Sequence, residues 1–483
     1  MRFAACLPAL LAAAALLVAA LGASPGLTWD EPAYVVSGLA YVRDGNWALN
    51  HEHPPLAKVL YGLALSADGG GHGYLAPARG VAALLFAALV ALTAWTGGRL
   101  FGATAGFLAG LALLLTPSVL AHAHLAALDL PMALAWMGAA ALSLRGPGGW
   151  TGAWLGGLLW GLALLTKVNG VFLIGPLVLW GLASGSLRWK HLPVLVLVGL
   201  AVFLAGWPWL WQDTFSRLHG YILSQTVRWV VPTYYLGTVY NAAYPPWHYP
   251  LVMTAAALAP AVLVAALYGA WVLARKRPQG AGWLGLHALF TLGLACLPGV
   301  PRYDGIRLFL TAFPFLALLA GLGLDLGLRM LRRPALAVTA GVLVFVPTAL
   351  KIRELSPCLL PYRSPLAGGL DLEATFWGDA LTPDFLARVS AGRPRSVALA
   401  PLGQDYFRFL QLQGDLPAST AWARPEEADV LIVLGRRGML TPEMARRFDS
   451  EPGFAEVRRE GVCLAKALLP GRSLPATMPA PFP

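Results

Sequence analysis

Charge is what this sequence has least of. Only 12% of its 483 residues are Asp, Glu, Lys or Arg, about half the usual share for a soluble domain. Against that, 57% are hydrophobic and the mean hydropathy is +0.63. A soluble globular enzyme and a disordered chain are excluded. Four cysteines in the whole chain exclude a secreted disulfide scaffold. Zinc, P-loop and dinucleotide motifs are missing, and so is any internal repeat. What remains is a multi-pass helical membrane protein.

Acidic residues are scarcest early in the chain. Residues 1–350 hold nine Asp and Glu against 19 Lys and Arg, whereas residues 351–483 hold 15 and 16. The first 350 residues therefore read as a membrane part and the rest as soluble. The net charge of +11 sits almost wholly in the membrane part. It points to cytoplasmic flanking charge and anionic lipid, and not to nucleic acid. Arg-rich, Lys-poor usage fits a GC-rich bacterium.

Apolar stretches of spanning length lie near 3–22, 80–97, 103–120, 126–144, 151–166, 168–184, 192–210, 250–272, 282–298, 306–325 and 334–350, which predicts eleven spans. The pair around Lys167 also fits a re-entrant hairpin. Arg99, Arg145, Arg188 with Lys190, the Arg275–Lys276–Arg277 run, and Arg329 with Arg332 and Arg333 fall in alternate short loops, on the same side as Arg2. The positive-inside rule makes that side cytoplasmic. The 23–79 loop, the 121–125 turn, the 211–249 loop, the 299–305 loop and everything after 350 are then outside. The first span also resembles a signal peptide, but its long core favours a retained anchor.

Residues 351–470 read as a small extracytoplasmic α/β domain. Ser396–Pro401 and Asp429–Leu434 read as buried strands, and Thr441–Phe448 as a helix capped by Thr441 with Pro442 in its first position. Cys358 and Cys463 fall in this domain, and spacing leaves open whether they pair. Residues 471–483 form a Pro-rich tail expected to be disordered.

The few acids of the membrane part are Asp30, Glu31, Asp44, Glu52, Asp68, Asp129, Asp213, Asp304 and Asp325, and all but Asp325 fall on or near the outer side. Transporters keep carboxylates at mid-membrane, so this placement favours a site at the outer boundary. In the first loop, Thr28-Trp29-Asp30-Glu31-Pro32 opens a helix on which Val35, Leu39 and Val42 recur at helical spacing. A carboxylate at the membrane edge can serve as a general base; alternatively Asp30 only caps the helix. Next come His51, Glu52 and His53, then Pro54, Pro55 and Lys58. His-x-His before two prolines is not a standard helical metal-ligand spacing. Lys58 and Arg79 lie outside against the positive-inside trend, which suits either phosphate binding or snorkelling to headgroups. Arg302 and Arg307 flank Tyr303 and Asp304 at the opening of a span. These four cations are candidates for one anionic headgroup. In the 211–249 loop, Phe215, Leu218, Ile222 and Trp229 line one helix face opposite Arg217, Ser224 and Arg228, as in an interfacial amphipathic helix or, equally, an ordinary aromatic belt.

The ordered combination of Asp30-Glu31, His53-Pro54-Pro55-Leu56-Ala57-Lys58, Arg79 and Leu128-Asp129-Leu130-Pro131 resembles the protein O-mannosyltransferase family. It is similar also to the lipid A aminoarabinose transferases. Both are C-type glycosyltransferases, polytopic enzymes that use lipid-phosphate sugars. The resemblance covers about residues 25–140 by motif and 140–350 by topology. It implies a polytopic α-helical membrane protein of C-type glycosyltransferase architecture, in a bacterial inner membrane with a cytoplasmic N-terminus. It implies a polyprenyl-phosphate sugar donor, inverting transfer, and no required cofactor or metal. Asp30 is then the base, and Glu31 orients it or the acceptor. Arg79 supports the donor phosphate or the active-site loop. His53 and Lys58 fall on the donor side, with Arg302 and Arg307 as further phosphate candidates and Asp129 and His51 as additional site residues. The carbohydrate-binding repeat insert of the eukaryotic mannosyltransferases is lacking, which leaves a protein, lipid or glycan acceptor open. The alternatives are a lipid or solute transporter or flippase, and a non-catalytic membrane scaffold.

Overall fold

The computed structural model describes residues 2–22, 24–227, 230–277, 280–367 and 377–469. The expected tail, together with Arg228 and Trp229, lies outside these residues. The fold is mostly helical, and each of the eleven apolar stretches is helical over most of its length. The count of eleven spans is nevertheless corrected. Three helices, Leu75–Phe101, Arg307–Arg329 and Pro334–Leu355, are long and apolar enough to cross a membrane, and the number rises to five if each of two bent pairs is one span. The reason is local chemistry. Proline breaks two of the stretches: Ala103–Leu114 meets Pro117–His124 at 64°, and Tyr249–Ala257 meets Pro260–Lys276 at 119°. Others, such as Asp129–Leu144 and Ala281–Ala295, are apolar but short.

The loop between the first two apolar stretches folds as two packed helices. Glu31–Asp44 has Pro32 in its first turn and ends at Gly45, whose φ of 62° is left-handed. Leu56–Asp68 crosses it through two glycines: a Cβ on Gly38 would lie 2.1 Å from the Lys58 carbonyl oxygen, and one on Gly62 would lie 2.0 Å from that of Gly38. The backbones therefore touch where Lys58 is held. Gly62→Ala must push the helices apart, and the expected loss is about 1–3 kcal/mol, read as a lower Tm of the purified protein.

The C-terminal part carries a five-stranded sheet in the order Ala421–Trp422, Ser396–Ala400, Val430–Leu434, Val462–Leu468 and Ala455–Arg459. The first three strands are parallel and the last two antiparallel. The two expected strands are present, and Thr441 Oγ1 accepts from Met444 N to cap Pro442–Ser450. Cys358 and Cys463 do not pair with each other. The sheet does not stand apart from the membrane part: one apolar core contains Leu27, Tyr34, Tyr61 and Leu75 together with Phe385, Leu399, Phe407 and Leu434. Backbone hydrogen bonds join Gly26 to Asp379 and Trp29 to Trp377, the Tyr406 hydroxyl donates to the Leu27 carbonyl, and Gln413 Oε1 accepts from Tyr74 N and Leu75 N. The first loop thus lies against the terminal domain directly before Asp30.

Asp379, in that seam, is buried. Its Oδ2 accepts from Leu360 N, while Oδ1 is sealed without a hydrogen-bond partner among the described residues. Burial pushes its carboxyl up from the ordinary 3.8 to about 7. The folded state then holds a proton that the unfolded state releases. The stability from this group is full below about pH 3.8 and is lost as pH rises through about 7. Asp379→Asn is expected to flatten the fall in Tm between pH 5 and pH 8, and thermal scans across that range check it.

Candidate active site

The acidic pair splits into two different environments. Glu31 is fully buried. Its Oε1 accepts from Arg79 Nε at 2.8 Å and Ala126 N at 2.8 Å, and its Oε2 from Arg79 Nη2 at 2.7 Å, Thr28 N at 2.9 Å and Thr28 Oγ1 at 3.0 Å. Arg79 completes the clasp by donating from Nη1 to Ser24 Oγ and Pro25 O, and from Nη2 to Gly26 O. Both partners are saturated, since a guanidinium has five N–H donors.

Asp30 is the open member, with a quarter of its side chain exposed. It occupies the N-cap position, yet its side chain makes no cap hydrogen bond. Instead Oδ2 accepts from Arg307 Nη2 at 2.6 Å, Trp377 Nε1 at 3.2 Å and Tyr34 OH at 3.4 Å. Oδ1 has no hydrogen-bond partner among the described residues and is not sealed from solvent. One oxygen is anchored and the other is open.

Arg307 is the hub of this arrangement. Besides Asp30 it meets Asp304 Oδ2 at 2.9 Å and Asp129 Oδ2 at 3.6 Å, and its guanidinium lies 3.9 Å from the Trp377 ring centre. Asp129 also binds Lys167 Nζ, which sits in extended backbone between Gly149–Thr166 and Val168–Leu173. Asp304 Oδ1 accepts from Arg436 Nη2 at 3.0 Å. Burial pushes the Asp304 carboxyl above its usual range, opposed by Arg436 and Arg307. Three cations and three carboxylates thus alternate from Lys167 through Arg307 to Arg436.

The other expected site residues are bound elsewhere. Lys58 is fully buried, donating to Tyr41 OH, Asn50 O, Asn50 Oδ1 and His53 O; burial pulls its ammonium down to about 7. Arg302 donates to the carbonyls of Pro245, Ala295 and Leu297. Lys58, Arg79, Arg302 and Arg307 therefore do not share one set of partners. The His53 ring packs edge-on to Tyr34 at 5.6 Å, and His51 stacks on Trp209 at 4.6 Å. No three His, Cys, Asp or Glu converge as metal ligands among the described residues. Helix Thr214–Thr226 exposes Phe215 and Ile222, whereas Leu218 of the expected face packs against the core.

Several residues at the site escaped sequence reasoning. Lys167 carried a signal, being the lone charge between Arg145 and Arg188. Trp377 and Arg436 carried none. His122 also escaped: it is buried, lines a cavity with Ser118, Asp304 and Arg363, and points its Nε2 at no described partner while Nδ1 is 2.8 Å from Ser118 O.

Comparison with known proteins bears on this geometry. The model of the dolichyl-phosphate-mannose-protein mannosyltransferase family matches residues 52–211, which include His53, Lys58, Arg79 and Asp129 but start after the acidic pair. No curated protein sequence matches the chain. Among solved structures, the chain is similar to ArnT from Cupriavidus metallidurans. The apo form gives a TM-score of 0.56 at 17% identity, and the form bound to undecaprenyl phosphate gives 0.54 at 16%; both comparisons cover 95% of this chain and 97% of that one. It is similar also to the oligosaccharyltransferase AglB from Archaeoglobus fulgidus, solved with an inhibitory peptide and a dolichol-phosphate (TM-score 0.51, 10% identity, 88% of this chain and 69% of that one). The fold is that of the C-type glycosyltransferases, the class that the motifs resemble. Within that class, it follows the architecture of ArnT over nearly the whole of both chains.

Proposed function

We propose that the protein is an inverting glycosyltransferase that moves a sugar from a polyprenyl-phosphate donor to an acceptor at the outer face of a bacterial plasma membrane. In this reading the N-terminus is cytoplasmic and the terminal domain outside. The observation that carries the proposal is the half-anchored carboxylate of Asp30. Arg307, Trp377 and Tyr34 hold Oδ2, which leaves Oδ1 open to a proton from the acceptor. The deprotonated acceptor attacks the anomeric carbon and the bond to the polyprenyl phosphate breaks. That leaving group needs no general acid, and cations at the outer site balance its growing charge. Glu31 and Arg79 act through position: their clasp holds the segment from Ser24 to Thr28 and so sets where Asp30 stands. Lys58 holds the turn at Asn50 and His53 in the same manner. The likeness to a structure that binds undecaprenyl phosphate supports the donor class. Sugar and acceptor are left to experiment.

The test uses purified protein in lipid, a panel of radiolabelled polyprenyl-phosphate sugars, and membrane extract as acceptor. Label transferred from at least one donor is the expected result, and the labelled product identifies the acceptor. An absence of both transfer and donor binding across the panel sinks the proposal and favours a transporter.

A further inference from the structure

We propose that Arg436, carried by the terminal domain, binds the phosphate of the lipid donor, so that the transfer site is built from both parts of the chain. This rests on the glycosyltransferase reading above. Four basic residues were expected to serve a phosphate, and the structure occupies each of them with protein oxygens. Arg79 has all its donors engaged. Arg302 is held by three carbonyls. Lys58 is enclosed by oxygens, and Arg307 faces three carboxylates, although its buried Nε makes no hydrogen bond among the described residues. Arg436 differs. Its side chain is only 9% exposed, yet among the described residues a single hydrogen bond, from Nη2 to Asp304 Oδ1, engages it. Among the described residues, the rest of its fork is neither partnered nor sealed. N–H groups left open in this way can take acceptors from a ligand, and the planar fork matches phosphate oxygens two at a time.

The residue is also placed to act on a ligand. It follows strand Val430–Leu434, and Gly435 N is bonded to Leu464 O. The next turn is pinned on its far side, since a Cβ on Gly438 would lie 2.5 Å from Pro232 O. The guanidinium lies 5.2 Å from the ring centre of Trp29, the residue before Asp30. Through Asp304 it joins Arg307, which binds Asp30. A phosphate on the open edge of Arg436 therefore belongs to the same cluster as the proposed base. Asp304 would compete with it for the fork.

The experiment is equilibrium binding to purified full-length protein in lipid nanodiscs, with three probes: undecaprenyl phosphate, undecaprenol and inorganic phosphate. Wild type is compared with Arg436→Gln, Arg436→Lys and Asp304→Asn, each checked for monodispersity and helical circular dichroism. Arg436→Gln is expected to lose about ten- to a hundredfold in affinity for undecaprenyl phosphate and none for undecaprenol. Arg436→Lys should recover part of the loss. Asp304→Asn should bind undecaprenyl phosphate at least as tightly as wild type, whereas a purely structural Arg436–Asp304 pair predicts equal defects in both variants. Unchanged binding of undecaprenyl phosphate by Arg436→Gln, or equal losses for phosphate and alcohol, overturns the assignment. Inorganic phosphate binding as tightly as undecaprenyl phosphate replaces the lipid donor by a free anion. Wild-type protein that binds no undecaprenyl phosphate brings down the glycosyltransferase reading itself, an outcome distinct from a failure confined to Arg436.

Discussion

Asp30→Asn is expected to lower sugar transfer by about a hundred- to ten-thousandfold, the usual contribution of a general base, with the fold intact. The substitution is isosteric. An asparagine carbonyl placed where Oδ2 lies still accepts from Arg307, Trp377 and Tyr34. What disappears is the basic oxygen at the open position. Asp30 makes no cap hydrogen bond, so helix Glu31–Asp44 loses no cap. Single-turnover transfer with the best donor of the panel, beside a thermal scan, separates chemistry from folding. Near-wild-type transfer by a folded Asp30→Asn protein would remove Asp30 from the mechanism.

The neighbouring substitution should behave in the opposite way. Glu31→Ala leaves the Arg79 guanidinium buried without its carboxylate, a change of the kind that removes about 3–5 kcal/mol. It also strips Thr28 N, Thr28 Oγ1 and Ala126 N of their acceptor. The expected readout is a large drop in Tm and poor yield of monodisperse protein, with Arg79→Ala producing a similar loss. Activity lost by Glu31→Ala at unchanged Tm would instead place Glu31 in contact with the reacting groups. The two adjacent acids thus make a paired experiment, one variant dead and stable, the other unstable.

The helical stretches were legible because burial in lipid demands long apolar runs, and every run is helical. The number of crossings was not. Pro117 and Pro260 bend two runs sharply, and the short helices depend on neighbours that hydropathy does not see. In the terminal domain, the two strands with continuous apolar residues and the capped helix could be read. Strand Ala455–Arg459 escaped because Glu456, Arg458 and Arg459 dilute its pattern.

At the site, sequence order alone singled out the first loop and its acidic pair, because charge is so rare in this chain that each carboxylate of the first 350 residues stands out. Residue type and spacing go no further, and only the family resemblance assigns Asp30 as the base and Glu31 as the residue that orients it. Tertiary structure separated them by what surrounds each oxygen, five donors around Glu31 and an open Oδ1 on Asp30. It also joined Asp30 to Arg307, and brought Trp377 and Arg436 to the same cluster across more than 340 residues of chain. Such pairings depend on how the terminal sheet packs against the first loop, and no local pattern in the chain encodes them.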